Sequence, residues 1–145
     1  MEKKSIFQLI HTIEQMNNQN IIHFTARFPY PIGVSPVLVL AELRTKGPRK
    51  QVELAEVLGY TKGAMTSIAN KLVALGLAER MYDASDRRII QLCITDKGNE
   101  AFSVAQKIGE EMYLDLFQTF TPDELTTYLS LQQKLLNSAK NKVGK

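Results

Sequence analysis

The chain of 145 residues holds a single cysteine, Cys93, so no intramolecular disulfide can brace it. That usage fits a reducing compartment. Long apolar runs are also missing. The opening Met1-Glu-Lys-Lys-Ser is charged, and Gln8 and His11 interrupt the apolar positions that follow. A signal peptide or membrane span is therefore not expected, and a cytoplasmic protein with no membrane partner is the simplest reading. Catalytic constellations are lacking too. We find no nucleophile elbow and no Gly-rich phosphate loop, the acidic residues are dispersed, and nothing pairs Cys93 with a histidine. The two histidines, His11 and His23, have neither cysteine partners nor a close acidic pair. No metal site, no cofactor and no enzymatic activity are expected.

What remains is ordinary in bulk and uneven in detail. A 44% hydrophobic and 23% charged composition describes a globular chain long enough for one core, or for a compact module with a dimerisation extension. The formal net charge of +3 is too small to identify a nucleic-acid binder. Its distribution is more informative. Between Thr61 and Ala78 the only charged residues are Lys62 and Lys71, an acid-free stretch of the kind that can approach phosphates.

Periodicity and punctuation give the element order. Ile6, Leu9, Ile10, Ile13 and Met16 predict a first helix over about 5–27, broken by Pro29, Pro31 and Gly33. Ser35-Pro36 resembles an N-cap with proline at the first helical position, so a second helix is expected from Val37 to about Thr45. Residues 51–58 suit a short helix, Gly59 a left-handed turn, and Thr61 the cap of a helix running to about Leu75. Met65, Ile68, Ala69, Leu72 and Leu75 form its inward stripe. Gly76 stops it. A hairpin follows, with strands over 77–82 and 88–94 joined by the turn Asp83-Ala-Ser-Asp86. Thr95 is expected to cap a long helix to about Phe120, and Thr121-Pro122-Asp-Glu to start a last one. That last helix carries Leu125, Leu129, Leu131, Leu135 and Leu136 before a basic tail expected to fray. The fold class is thus mostly α with a small β-hairpin, a winged helix-turn-helix with N- and C-terminal dimerisation helices. Residues 1–34 and 99–145 would form the helical dimerisation region, and 35–98 the DNA-binding region. The terminal helices could instead cover their own domain's core.

The groove-facing side of the third-to-fourth helix unit carries short hydrogen-bonding side chains. Lys62, Gly63, Thr66, Ser67, Asn70 and Lys71 lie opposite the apolar stripe. Asn can pair two ways with adenine, Thr and Ser can reach base or phosphate, and Gly63 permits close backbone approach. Lys62 and Lys71 suit phosphates. An ordinary solvated helix face would look similar, and it is the adjacent hairpin that favours a DNA role. There Arg87 and Arg88 lie next to Asp86, an arginine at a hairpin tip can enter a narrow minor groove, and Arg87 suits a phosphate.

Residues from about Gln51 to Gly98 resemble the MarR family of bacterial transcription regulators. The motif residues are Asp86, Arg88, Leu92, Thr95 and Gly98, preceded by Leu72-Val-Ala-Leu-Gly-Leu-Ala-Glu-Arg80. That pattern implies Arg88 as the residue inserted into the minor groove and Asp86 as the carboxylate holding it in a bidentate pair. The resemblance implies a homodimer on a pseudo-palindromic operator in double-stranded DNA, with a repressor released by a small-molecule effector or other signal. His11, His23, Phe24, Tyr30 and Tyr113 are a candidate effector pocket, although aromatic residues at helical spacing are more often core. Two alternatives stay open. One is a winged-helix module that docks a protein; the other is a thiol-based sensor using Cys93, against which a purely structural thiol is weighed.

Overall fold

The computed structural model describes residues 2–143. Six helices and one hairpin follow in order. They are α1 (Lys3–Arg27), α2 (Val34–Lys46), α3 (Gln51–Leu58), α4 (Lys62–Ala74), β1 (Ala78–Tyr82), β2 (Ile90–Ile94), α5 (Asp96–Phe117) and α6 (Pro122–Val143). The mostly α class with one antiparallel hairpin matches the expectation. No described helix is long and apolar enough to cross a membrane. The tail expected to fray is helical as far as Val143, and Gly144 and Lys145 lie outside the described residues.

The chain divides into two compact units, with the boundary between Gly109 and Glu110. In the first, α2, α3 and α4 converge on Val39, Leu40, Leu43, Leu54, Met65, Ala69 and Leu72, each at most 1% exposed. Leu77 and Leu92 close this core from the hairpin, and Ala101 and Ala105 from α5. The burial of Met65, Ala69 and Leu72 follows the 3.6-residue repeat read from the sequence. In the second unit, Phe117 and Phe120 meet Tyr128 at centroid distances of 5.6 and 5.4 Å, and Tyr113 stacks on Phe117 at 6.1 Å. An open groove of about 620 Å³ there is lined by Glu110, Tyr113, Leu114, Phe117, Gln118 and Leu125.

Three expected boundaries are corrected. Helix α2 begins at Val34, with Gly33 rather than Ser35 at the cap and no side-chain cap bond. Pro36 is its third residue. The first helical hydrogen bond runs from Val37 N–H to Gly33 O, so the missing proline donor at position 36 costs nothing. The second strand begins at Ile90, not Arg88. Asp83 N–H still bonds Ile89 O, but Ile89 N–H closes a turn onto Asp86 O, and Arg87 and Arg88 belong to that turn. Finally, α5 ends at Phe117 rather than Phe120.

The hairpin is anchored at its base. Arg49, in the link between α2 and α3, exchanges backbone bonds of 3.1 and 2.7 Å with Leu92, adding a third strand position beside β2. Thr95 Oγ1 accepts from Gly98 N–H at 3.0 Å as an N-cap, and donates to Gly76 O at 2.6 Å. Lys97 Nζ donates to Leu75 O at 3.0 Å, satisfying a carbonyl at the end of α4. Gly98 is required here by space. A Cβ at that position would lie 2.0 Å from Leu77 O and 2.8 Å from Ile94 Cγ1.

Candidate nucleic-acid interface

Helix α4 is started by Thr61, whose hydroxyl accepts from Ala64 N–H at 3.1 Å. Gly59 ends α3 at φ 73°, a left-handed conformation that sets the turn between the two helices. This local geometry leaves Lys62, Gly63, Thr66, Ser67, Asn70 and Lys71 all exposed on one side of α4. No acid occupies its first turn, so the partial positive charge of the helix start is not neutralised.

Two of these residues belong to a polar network that the sequence did not reveal. Arg80 of β1 donates from Nη2 to Asn70 Oδ1 at 2.7 Å and to Gln51 Oε1 at 3.2 Å. Gln51 Nε2 in turn reaches Thr66 Oγ1 at 3.5 Å, and that hydroxyl donates to Lys62 O at 2.9 Å. Arg80 is already part of the motif at the end of the helix-turn-helix, which was the one signal that could have nominated it. Gln51 carried no signal.

At the hairpin turn, Asp86 Oδ1 accepts from Arg88 N–H and Nε at 3.0 and 3.1 Å, and Oδ2 accepts from Nη2 at 3.0 Å. The fork is bidentate, yet the Arg88 side chain remains 91% exposed. The Arg88 guanidinium holds the Asp86 carboxyl below the usual aspartate range, and its own backbone N–H adds to the effect. Asp83 is lowered similarly, first by the Ser85 hydroxyl and then by the Ser85 backbone N–H. Arg87 stands next to the pair in the turn.

The other candidates are scattered. His11 and His23 are exposed on α1, whereas Phe24 and Tyr30 flank Phe28 at centroid distances of 5.0 and 5.2 Å. Tyr113 lies in the second unit, where it stacks on Phe117. Cys93 is buried with Sγ 3.2 Å from Met81 Sδ, and burial followed by the charge of Glu79 pushes its thiol up, away from the reactive thiolate. Among the described residues no cluster of three or more His, Cys, Asp and Glu could hold a metal ion.

A short helix, a tight turn, an exposed second helix and an anchored hairpin with an arginine at its turn define a winged helix-turn-helix. A MarR family model matches residues 30–89. The uncharacterized HTH-type transcriptional regulator YpoP of Bacillus subtilis is 30% identical over 97 residues, covering 67% of this chain and 69% of that protein. The multiple antibiotic resistance protein MarR of Escherichia coli K12 is 28% identical over 130 residues, or 89% of each chain. A solved structure of a cysteine-to-serine mutant of E. coli MarR complexed with operator DNA superimposes with a TM-score of 0.77, at 26% identity over 91% of this chain and 96% of that one. The chain belongs to the MarR family of transcriptional regulators.

Proposed function

We propose that the protein is a homodimeric, cytoplasmic DNA-binding repressor that reads a pseudo-palindromic operator. The observation that carries this reading is the acid-free exposed face of α4 beside an Arg88 held in a fork by Asp86. The helix face suits a major groove, where Thr66, Ser67 and Asn70 meet base edges or phosphates and Gly63 lets the backbone approach. Lys62, Lys71 and Arg87 neutralise phosphates. Arg88, oriented by Asp86, enters the adjacent minor groove. The E. coli relative solved in complex with operator DNA supports the DNA-binding reading.

The dimer is supported by the terminal helices. No side chain of α1 is buried, and Ile13 and Ile22 are 48% and 57% exposed. No described side chain of α6 is buried either, with Leu129 and Leu136 at 56% and 53%. Exposed apolar stripes of this length are unstable in water and call for a partner surface. Residues 1–34 and 99–145 supply that surface, and 35–98 the DNA contacts. A small-molecule effector or other signal acts by favouring a conformation with lower DNA affinity.

The test is an anisotropy titration of DNA upstream of the protein's own gene against a scrambled duplex. Tight binding to the native duplex that weakens steeply with salt is expected, with Arg88→Ala weakening it by roughly ten-fold. Equal, salt-insensitive binding to both duplexes, unchanged in Arg88→Ala, would reject the reading.

A further inference from the structure

Arg80 reaches out of β1 to the exposed side of α4, and its chemistry dictates how Asn70 faces solvent. A guanidinium offers only donors, so both amides bound to it must turn their oxygens toward it. Asn70 therefore gives its carbonyl to a cation at 2.7 Å, while its NH2 has no partner among the described residues. Gln51 is set the same way, and its nitrogen is directed to Thr66, one helical turn from Asn70. The network thus fixes which atoms of this patch donate and which accept.

That assignment conflicts with the pairing expected for Asn70. Asparagine recognises adenine by donating to N7 and accepting from the N6 amino group. Here one of the two lone pairs of Oδ1 is taken by a charge-assisted bond, and an adenine amino group on the other would bring its donors against those of Arg80. Guanine presents two acceptors, N7 and O6, on the same edge. Those acceptors suit an NH2 with Arg80 beside it.

We propose that Arg80 is a positioning residue that biases Asn70 away from adenine and toward donating its NH2 to guanine. The inference rests on the DNA-binding reading and names the base that the same site recognises.

The experiment is selection from duplexes built on the upstream DNA with each base pair randomised in turn, at fixed salt. Asn70→Ala locates the relevant position by flattening preference there. At that position wild type should favour G·C over A·T by roughly five-fold or more. Arg80→Ala should shift the preference to A·T there and nowhere else, whereas a merely structural loss would weaken every position together. Arg80→Met, which keeps the apolar stem, should give the same shift, and thermal melting verifies that both variants fold. Wild-type preference for A·T, or an unchanged G·C preference in both Arg80 variants, overturns the inference while leaving DNA reading intact. So does an Asn70→Ala profile identical to wild type. Failure of the wild type to select any sequence overturns sequence-specific reading, and this inference with it.

Discussion

Asp86 commits both carboxylate oxygens and a backbone bond to one neighbour, Arg88, two residues away. Because the pair is open to water, it adds little to global stability and is screened by salt. Its effect is to narrow the directions in which the arginine points. The Asp86 carboxyl titrates below an unpaired aspartate, so the ion pair's contribution is complete above the unfolded value and is lost as pH falls through the lowered folded one. Carboxyl carbon NMR should show this as a depressed midpoint for Asp86 that rises part of the way back in Arg88→Ala, where the backbone N–H at position 88 is kept. A midpoint indifferent to that substitution would mean the fork is not maintained in solution. Cys93 is the contrasting case. Its burial and raised thiol argue for packing, and a sensing role has no support from its surroundings.

At the level of elements, the junction of α4, β1 and α5 is tightly constrained. Gly98 sits where any side chain would meet the Leu77 carbonyl, and backbone cannot move aside as a flexible side chain can. Gly98→Ala should therefore destabilise by about 3 kcal/mol, the upper part of the range for overpacking, measured by chemical denaturation. A cost near zero would show that the junction is loose. The sequence signalled this junction well, since Thr95 and Gly98 stand in a recognisable pattern and the cap is local chemistry. Thr61, Gly59 and Thr121-Pro122 were legible for the same reason: each acts on neighbours within a few positions. Thr121 and Glu124 even exchange both bonds of a capping box, at 2.9 and 3.2 Å. The start of α2 misled because Ser35-Pro36 reads as a cap with proline at the first helical position, whereas proline is equally tolerated at the third, where its missing N–H has no helical acceptor. Long-range pairs were invisible. Nothing local to Arg49 announces Leu92, and nothing local to Gln51 or Asn70 announces Arg80.

For the whole molecule, the proposed reading gives the oligomeric state to the terminal helices. A 25-residue helix with no fully buried side chain gains little from its own core beyond the packing of Phe24, and burying one of its apolar side chains fully is worth about 1.5–3 kcal/mol. Light scattering should find a dimer at micromolar concentration, and Ile13→Glu with Leu129→Glu should give a monomer that has lost tight operator binding. A monomeric wild type would remove the basis for palindromic reading. Within each copy, Arg49 pins the hairpin to the link before α3, while Thr95 and Lys97 pin the end of α4 to the start of α5. Helix and hairpin are thereby the two jaws of a calliper joined at the base of the hairpin. On the proposed reading, one copy cannot tolerate a base pair added between its major- and minor-groove contacts. Any adjustment to a longer or shorter operator has to come from the distance between the two callipers, which makes that distance the quantity a regulatory signal would have to change.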